Sequence, residues 1–301
     1  MNSLFEICNQ QIRVVGRWVR IASLDADKYI FLDDPSTVIE PLKRSKRNVD
    51  LFTFLQRVSE PEPQYPYPFE LDNLAVLPIS TFDHWWTRQV DAKTRNMVRR
   101  AEKKGILVRE VPFGANLVRG IWKIYNECPV RQGKPFPHYG KDYDTVYPEE
   151  ATYLSNSIFI GAFVGDLLIG FIKLVHDQTG TQAGLMNILS MIAHRDKAPT
   201  NALLAQAVRS CAQRGIRQLV YSNFAYGKKT HSSLSDFKAN NGFQRVDLPR
   251  YYVPLTLRGA MALRLGLHHR FVDHLPESIA AKLRAYREAW YKRRLNSAEA
   301  L

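Results

Sequence analysis

The chain is short of cysteine. Its three, Cys8, Cys128 and Cys211, are an odd number without metal-ligand spacing, which argues against a disulfide framework or a zinc site. Each reads as a small buried hydrophobe. No run approaches the roughly 18 unbroken apolar residues that a membrane-spanning helix requires. The start, MNSLFEICNQQIRVVGR, has no signal-peptide h-region, so a soluble, cytoplasmic protein is expected. Internal repeats are lacking, as are the helix-turn-helix and zinc patterns of sequence-specific DNA binders. Acidic side chains are outnumbered, 29 against 42 Lys and Arg, for a net charge of +13. Such a balance attracts a nucleotide cofactor, an RNA, an anionic lipid surface or an acidic polymer, and does not choose among them. The 301 residues, 45% of them hydrophobic, suffice for one large core, or one domain with a smaller companion.

Residues 12–42 alternate strand-like runs (IRVVGRWVRIAS, KYIFL, STVIEPL) with polar turns, which predicts a small antiparallel meander followed by a helix-like VDLFTFLQRV. SEPEPQYPYPFE (59–70) is broken by prolines and marks a boundary or connecting arm. TRNMVRRAEKKG (94–105) places Met97, Val98 and Ala101 on one helical face. From Ile106 the pattern is regular: a strand (106–111), a helix (115–128) with Leu117, Ile121, Ile124 and Tyr125 on one stripe, and a shorter helix (148–156). Three apolar runs follow, SIFIGAFV, LLIGFIKLVHD and TQAGLMNILSMI, joined by hairpin-type turns. After them come a loop and helix (194–215), a strand (218–224), a helix (232–241) closed by Gly242, and a last strand through FQRVDLPRYYVPL. This order, β-α-α-β-β-β-α-β-α-β, sets the fourth and fifth strands parallel and side by side. A ligand enters where they splay, and the helix after the fourth strand aims its unpaired amides at that gap.

The element order and the loop HRDKAPTNALLAQAVRSCAQRG (194–215) resemble the GCN5-related N-acetyltransferase (GNAT) fold, whose pyrophosphate loop reads Arg/Gln-x-x-Gly-x-Gly/Ala with an apolar residue soon after. The frame falls on Arg195, Ala198, Thr200 and Leu203, so alanine and threonine stand at the two glycine positions. A closer resemblance is to the FemAB-like subgroup, the peptidoglycan-bridge aminoacyltransferases and their acyl-CoA-dependent relatives. KTRNMVRRAEKKGILVREV (93–111), the Lys-x-Pro of DKAPTNALL, and LSDFKANNGFQRVDLPRYYVPL (234–255) occur in that order and cover about residues 85–255. The first 80 residues are shorter than the complete second acyltransferase-like domain of the bridge-forming enzymes. The resemblance implies an α/β fold, a GNAT-like mixed sheet flanked by helices. It divides the chain into a small β-rich N-terminal region, a truncated GNAT-like half (1–85), a GNAT-like acyltransferase domain (86–256), and a basic helical tail (257–301).

For the site, the resemblance implies an acyl-CoA donor, acetyl-CoA foremost, and no metal. Arg195, Lys197, Ala198, Thr200 and Asn201 would hold the pyrophosphate, with Thr200 capping the helix. The oxyanion donor in this fold is a main-chain N–H on the fourth strand, Met186–Met191, which makes Asn187, Leu189 and Met191 donor-binding candidates; Asn187 and Ser190 are the strand's polar members. An attacking amine must lose a proton, and this strand has no Asp or Glu. The base is therefore sought in His194, His176 or Asp177. Tyr226 stands where many members keep a tyrosine that protonates the departing thiolate, and Asn223 would orient the acceptor. The insert PVRQGKPFPHYGKDYDTVYPEE (129–150) lies where this fold contacts the acceptor. Phe136, His138, Tyr139, Tyr143 and Tyr147 offer stacking faces, and Arg131 and Lys134 offer charge; Arg131, Tyr139 and Tyr143 are the substrate-binding candidates. Against each stands a plainer reading as a packed or surface residue.

The leading expectation is an acyl-CoA-dependent N-acyltransferase acting on an amino sugar, amino acid or peptide. A FemAB-like enzyme using aminoacyl-tRNA is the alternative, and a non-catalytic nucleotide- or peptide-binding GNAT-fold protein is the third. The tail has amphipathic segments and three open destinations: docking on the domain, pairing with a second chain as a homodimer, or peripheral contact with an anionic membrane.

Overall fold

The structure is a computed structural model and describes residues 3–45, 47–131, 134–226 and 232–269. In the N-terminal region, β1 (Ser3–Ile7), β2 (Gln10–Val15) and β3 (Ile21–Leu24) lead to α1 (Ser36–Arg44), β4 (Leu51–Leu55) and β5 (Phe69–Pro78). Next come α2 (Phe82–His84), which runs into a π-helical turn, α3 (Ala92–Lys103), β6 (Leu107–Glu110), α4 (Ala115–Tyr125), the short strands β7 (Val130–Arg131) and β8 (Lys134–Pro135), and α5 (Tyr143–Glu150). The remainder is β9 (Ser157–Val164), β10 (Leu167–His176), β11 (Gln182–Ser190), α6 (Pro199–Gln213), β12 (Gln218–Asn223), α7 (Ser233–Asn240), β13 (Gln244–Pro254) and α8 (Leu257–Arg264). From β6 onward the expected order is present, with the β7–β8 hairpin added inside the 129–150 insert.

The N-terminal region departs from the expected meander. STVIEPL is α1, and KYIFL is not a strand. The Asp34 carboxylate accepts from Ser36 N at 2.9 Å, and Val38, Ile39 and Leu42 are buried on one helical face, so local capping and the 3.6 period favour the helix. VDLFTFLQRV contains β4 instead of a helix. Every residue of β4 is buried because the strand has neighbours on both edges and layers on both faces. A short apolar run of this kind does not betray its period. The β3–β4 pair is parallel, and α1 is the crossover that parallel pairing requires. The helix expected at 148–156 lies earlier, as α5, because Asp142 accepts from Thr145 N at 2.7 Å and starts it there.

One 11-stranded sheet runs β1-β2-β3-β4-β13-β5-β12-β11-β10-β9-β6. β13 joins its parts: it pairs antiparallel with β5 from Gln244 to Tyr251 and with β4 from Arg250 to Pro254. The proline-broken arm thus connects β4 and β5, two strands on opposite edges of β13. On one face of the sheet α3 and α6 cover Ile160, Ile172 and Leu185. On the other, α4 and α5 cover Phe159 and Phe171, while α1 closes a separate cluster with Ile12, Phe52 and Tyr251. Among the described residues no helix is long and apolar enough to cross a membrane. The tail beyond 269 lies outside the described residues.

Arg250 ties the 25–32 loop to the sheet, with Nη1 2.7 Å from Asp27 and Nε 3.0 Å from Asp72. Replacing it with leucine leaves both carboxylates without their cation. The Arg250→Leu variant is expected to lose about 2–4 kcal/mol in urea unfolding, somewhat below the full cost of breaking a buried pair because both aspartates keep some solvent. A loss under about 0.5 kcal/mol would show that the loop is held by other contacts.

Candidate functional site

β11 and β12 pair at Gln182–Gln218, Ala183–Leu219 and Gly184–Val220, and then part. Local irregularities flank the point where they part. A bulge shifts the β10–β11 register at Lys173/Leu174. β12 breaks its own register with β5 after Val220, where Ser222 takes φ +50°. Gly184 leaves room for Tyr29 from the N-terminal region; a Cβ at 184 would lie 2.5 Å from the Tyr29 Cβ. The Tyr29 phenol is pushed up to about 12, chiefly by burial, against a hydrogen bond with Ser222.

The loop after β11 closes one end of this cleft. Residues 192–197 form a 3-10 turn, Ala198 adopts φ 55°, ψ 44°, and Pro199 is the first residue of α6. The alanine at the first glycine position of the loop frame therefore keeps the backbone conformation that glycine favours. Thr200 does not cap the helix, contrary to expectation. Pro199 starts α6 ahead of it, and the Thr200 hydroxyl lies 3.0 Å from Ser190 Oγ on β11. No side chain caps α6, so the amides of its first turn remain available to an anion. The amides of Ile192 and Ala193 are already engaged, donating to the Glu127 carboxylate at 2.7 and 2.9 Å. Arg131, expected at the acceptor, bonds Glu127, the Ser190 carbonyl and the Ile124 carbonyl at 3.0, 2.8 and 2.9 Å. It holds the end of β11. Lys197 Nζ lies 3.1 Å from His194 Nδ1, Arg195 is exposed and Asn201 half-buried. Met191 N donates to the Ile169 carbonyl, and Leu189 packs against the α4 cluster.

On the α4–α5 face, the fold assembles a buried polar group that sequence reasoning missed. Tyr125 Oη donates to Glu150 at 2.7 Å, and Asn187 Nδ2 reaches the same carboxylate at 3.3 and 3.4 Å. Lys173 Nζ donates to the Glu150 carbonyl at 2.8 Å and to Thr152 at 3.1 Å. Glu150 and Lys173 are only 2% and 1% exposed. Burial raises the Glu150 carboxyl, against the Tyr125 hydrogen bond and the Lys173 charge. The same burial lowers Lys173 to about 8. The one sequence signal was a lysine inside the apolar run LLIGFIKLVH. His138 stacks on Tyr125 at 4.3 Å between ring centres, with Phe136 at 5.3 Å from His138. Tyr143 and Tyr147 pair at 5.9 Å, while Tyr139 and Lys134 are exposed.

On the β12 side, Asn223 donates to Asp72 at 2.6 Å and accepts from Lys28. Lys238, fully buried in α7, donates to the Asn223 carbonyl. Its Nζ lies 4.4 and 5.1 Å from the ring centres of Tyr221 and Tyr226, and burial, with Lys28 nearby, lowers it to about 8. Tyr226 itself is half exposed, 49%. His176 and Asp177 do not join the site. Asp177 accepts from Thr181 N and Gln182 N at the paired end of β11, about 26 Å of strand from Ser190 at roughly 3.3 Å per residue.

Three solved structures resemble the fold of this chain. FemX is 10% identical, covers 85% of this chain and 86% of its own, and has a TM-score of 0.56. L-PGS from Bacillus licheniformis is 14% identical, with 89% and 90% covered and a TM-score of 0.55. A C-terminal domain (DUF2156) from Agrobacterium fabrum, assigned to a lysylphosphatidylglycerol synthetase, is 13% identical, with 87% of each chain covered and a TM-score of 0.54. No protein-family model and no curated protein matches the sequence. The likenesses show the fold, a mixed sheet flanked by helices like that of FemX and the two other structures.

Ala198 provides a test of the loop geometry. If the left-handed conformation is kept in solution, Ala198→Gly relieves its strain and raises stability by about 1 kcal/mol in chemical denaturation. A destabilisation of the size expected for glycine inside a helix would contradict that backbone.

Proposed function

We propose that the chain is an N-acyltransferase that moves an acyl group, acetyl foremost, from acyl-CoA to an amine acceptor such as an amino sugar, amino acid or peptide. The observation that carries this reading is the uncapped first turn of α6 at the end of the parted β11 and β12. In this reading residues 86–256 are the catalytic domain and residues 1–85 supply a wall of its cleft. The diphosphate lies on the Thr200 and Asn201 amides beside Arg195 and Lys197. The acyl-bearing arm follows the gap past Asn187, Leu189 and Met191; the Met191 amide is committed to Ile169, so the donors to the developing oxyanion are the intervening main-chain amides of β11, which face the gap.

The acceptor approaches over the α4–α5 face, with Tyr139 and Tyr143 as rim contacts and Arg131 acting through the end of β11. Glu150, raised by burial, accepts the amine proton through the Asn187 side or a water. His194 remains at the donor end beside Lys197. Tyr226 protonates the leaving thiolate, and the Lys238 ammonium under its ring stabilises the phenolate that this leaves. Asn223, held by Lys28 and Asp72, positions Lys28 at the cleft. A second reading takes the donor as aminoacyl-tRNA. The net charge of +13, the basic tail and the likeness to FemX favour it, and RNA affinity that collapses with salt would distinguish it.

Calorimetry with acetyl-CoA is expected to give saturable binding to the wild type and at least tenfold weaker binding to Thr200→Asp, which sets a negative charge at the α6 N-terminus. Binding of equal strength to both would remove the loop from the donor site. With an active acceptor in hand, the acid limb of the kcat/KM profile should lie above the ordinary carboxylate range. Glu150→Gln should abolish that limb and lower the rate about 10²-fold. An unchanged profile would exclude Glu150 as the base.

A further inference from the structure

Away from this cleft, Glu70 at the start of β5 meets the turn that follows α8. His268 Nε2 and His269 Nε2 lie 3.0 and 2.9 Å from the same oxygen, Glu70 Oε1. The two imidazole rings are 4.0 Å apart between centres, at 39°. Ligand-type atoms of all three residues fall within 4.8 Å of one another. Tyr252 on β13 hydrogen-bonds Glu70 and presents its ring edge-on to His268 at 4.6 Å. The His268 side chain is 4% exposed, and its Nδ1 is buried without a hydrogen-bond partner.

As a purely hydrogen-bonded cluster this arrangement is awkward. One carboxylate oxygen would accept from two imidazoles, and protonating both rings would place two cations within 4.0 Å. A divalent cation answers this convergence, because neutral imidazole nitrogens and a carboxylate are all acceptors that can face a single positive charge. Around tetrahedral zinc, ligand atoms at 2.0–2.2 Å from the metal stand roughly 3.3 Å apart. The 2.9 and 3.0 Å separations here need to open by only a few tenths of an ångström. Two imidazoles and one carboxylate are a ligand set zinc accepts, and a hydrogen bond from Tyr252 to the carboxylate is the kind of outer contact that orients such a ligand. The side chains of His269 and Glu70 retain 33% and 44% exposure, which leaves water access to a fourth position.

We propose that Glu70, His268 and His269 form a zinc site that clasps the segment after α8 to the start of β5. The site links residues 198 apart in sequence, which is why no local spacing motif announces it and why the sequence led to the expectation of no metal. It lies apart from the β11–β12 cleft, so its role is to fix the C-terminal segment against the sheet. Metal binding there stabilises the folded chain by mass action.

The test uses the full chain after chelator treatment. Titration with zinc chloride is expected to show one equivalent bound with a Kd in the micromolar range or tighter and a rise in Tm. Cobalt(II) should give visible bands of a four- or five-coordinate centre. Glu70→Gln and His268→Gln should each weaken zinc at least tenfold, whereas His176→Gln should not. Zinc should also shield the peptide carrying His268 and His269 from diethylpyrocarbonate in the wild type, a readout that does not depend on variant folding. No saturable zinc binding to the wild type, unshielded histidines in the zinc-bound protein, or full affinity in both ligand variants would overturn the proposal.

Discussion

β11 and β12 pair through Gly184 and Val220 and then part, and the loop, the α6 N-terminus and the Tyr29 contact are all arranged around that gap. Parallel strands continue to pair unless something prevents it, and here several features act together. Gly184 admits Tyr29 where a larger residue would collide, Ser222 turns into the left-handed region, and β10 bulges against β11. The released backbone of β11 is then available to a ligand, because its N–H and C=O groups are no longer committed to a ladder on that side. The Glu127–Arg131 pair holds the far end of β11 and the following turn, so the cleft has a fixed mouth at α6.

The N-terminal region packs against this gap through Tyr29 and Lys28. It enters the same sheet through β13, which lies between β4 and β5, and sends its 25–32 loop across to the cleft. Arg250 anchors that loop through Asp27, and Asp72 links Arg250 to Asn223. Asp27 and β12 are thus joined by a continuous chain of charged and amide groups. This link between the two parts consists of direct contacts.

The portion after Ile106 was legible in sequence because its strands and helices have distinct periods and turn signals, and because the order β-β-β-α-β by itself implies a parallel gap. The N-terminal region was not. Leu51–Leu55 is buried on every residue, which erases the alternation that identifies a strand, and STVIEPL carries β-branched residues although its burial is helical. The loop frame was readable from Arg195 to Thr200, but the helix start was not, since the proline determines it. The polar group of the opposite face was illegible for a different reason: Glu150 and Asn187 are 37 residues apart and meet only when α5 folds over the sheet. Lys238 likewise looks like an ordinary helical lysine until α7 buries it.

Hydrogen exchange with and without acetyl-CoA reports where a donor sits, not only whether one binds. Slowed exchange is expected in residues 185–203, across β11, the turn and the first turn of α6, with a smaller effect at 221–224. Saturating acetyl-CoA that protects other segments and leaves 185–203 unchanged would contradict the proposed donor site.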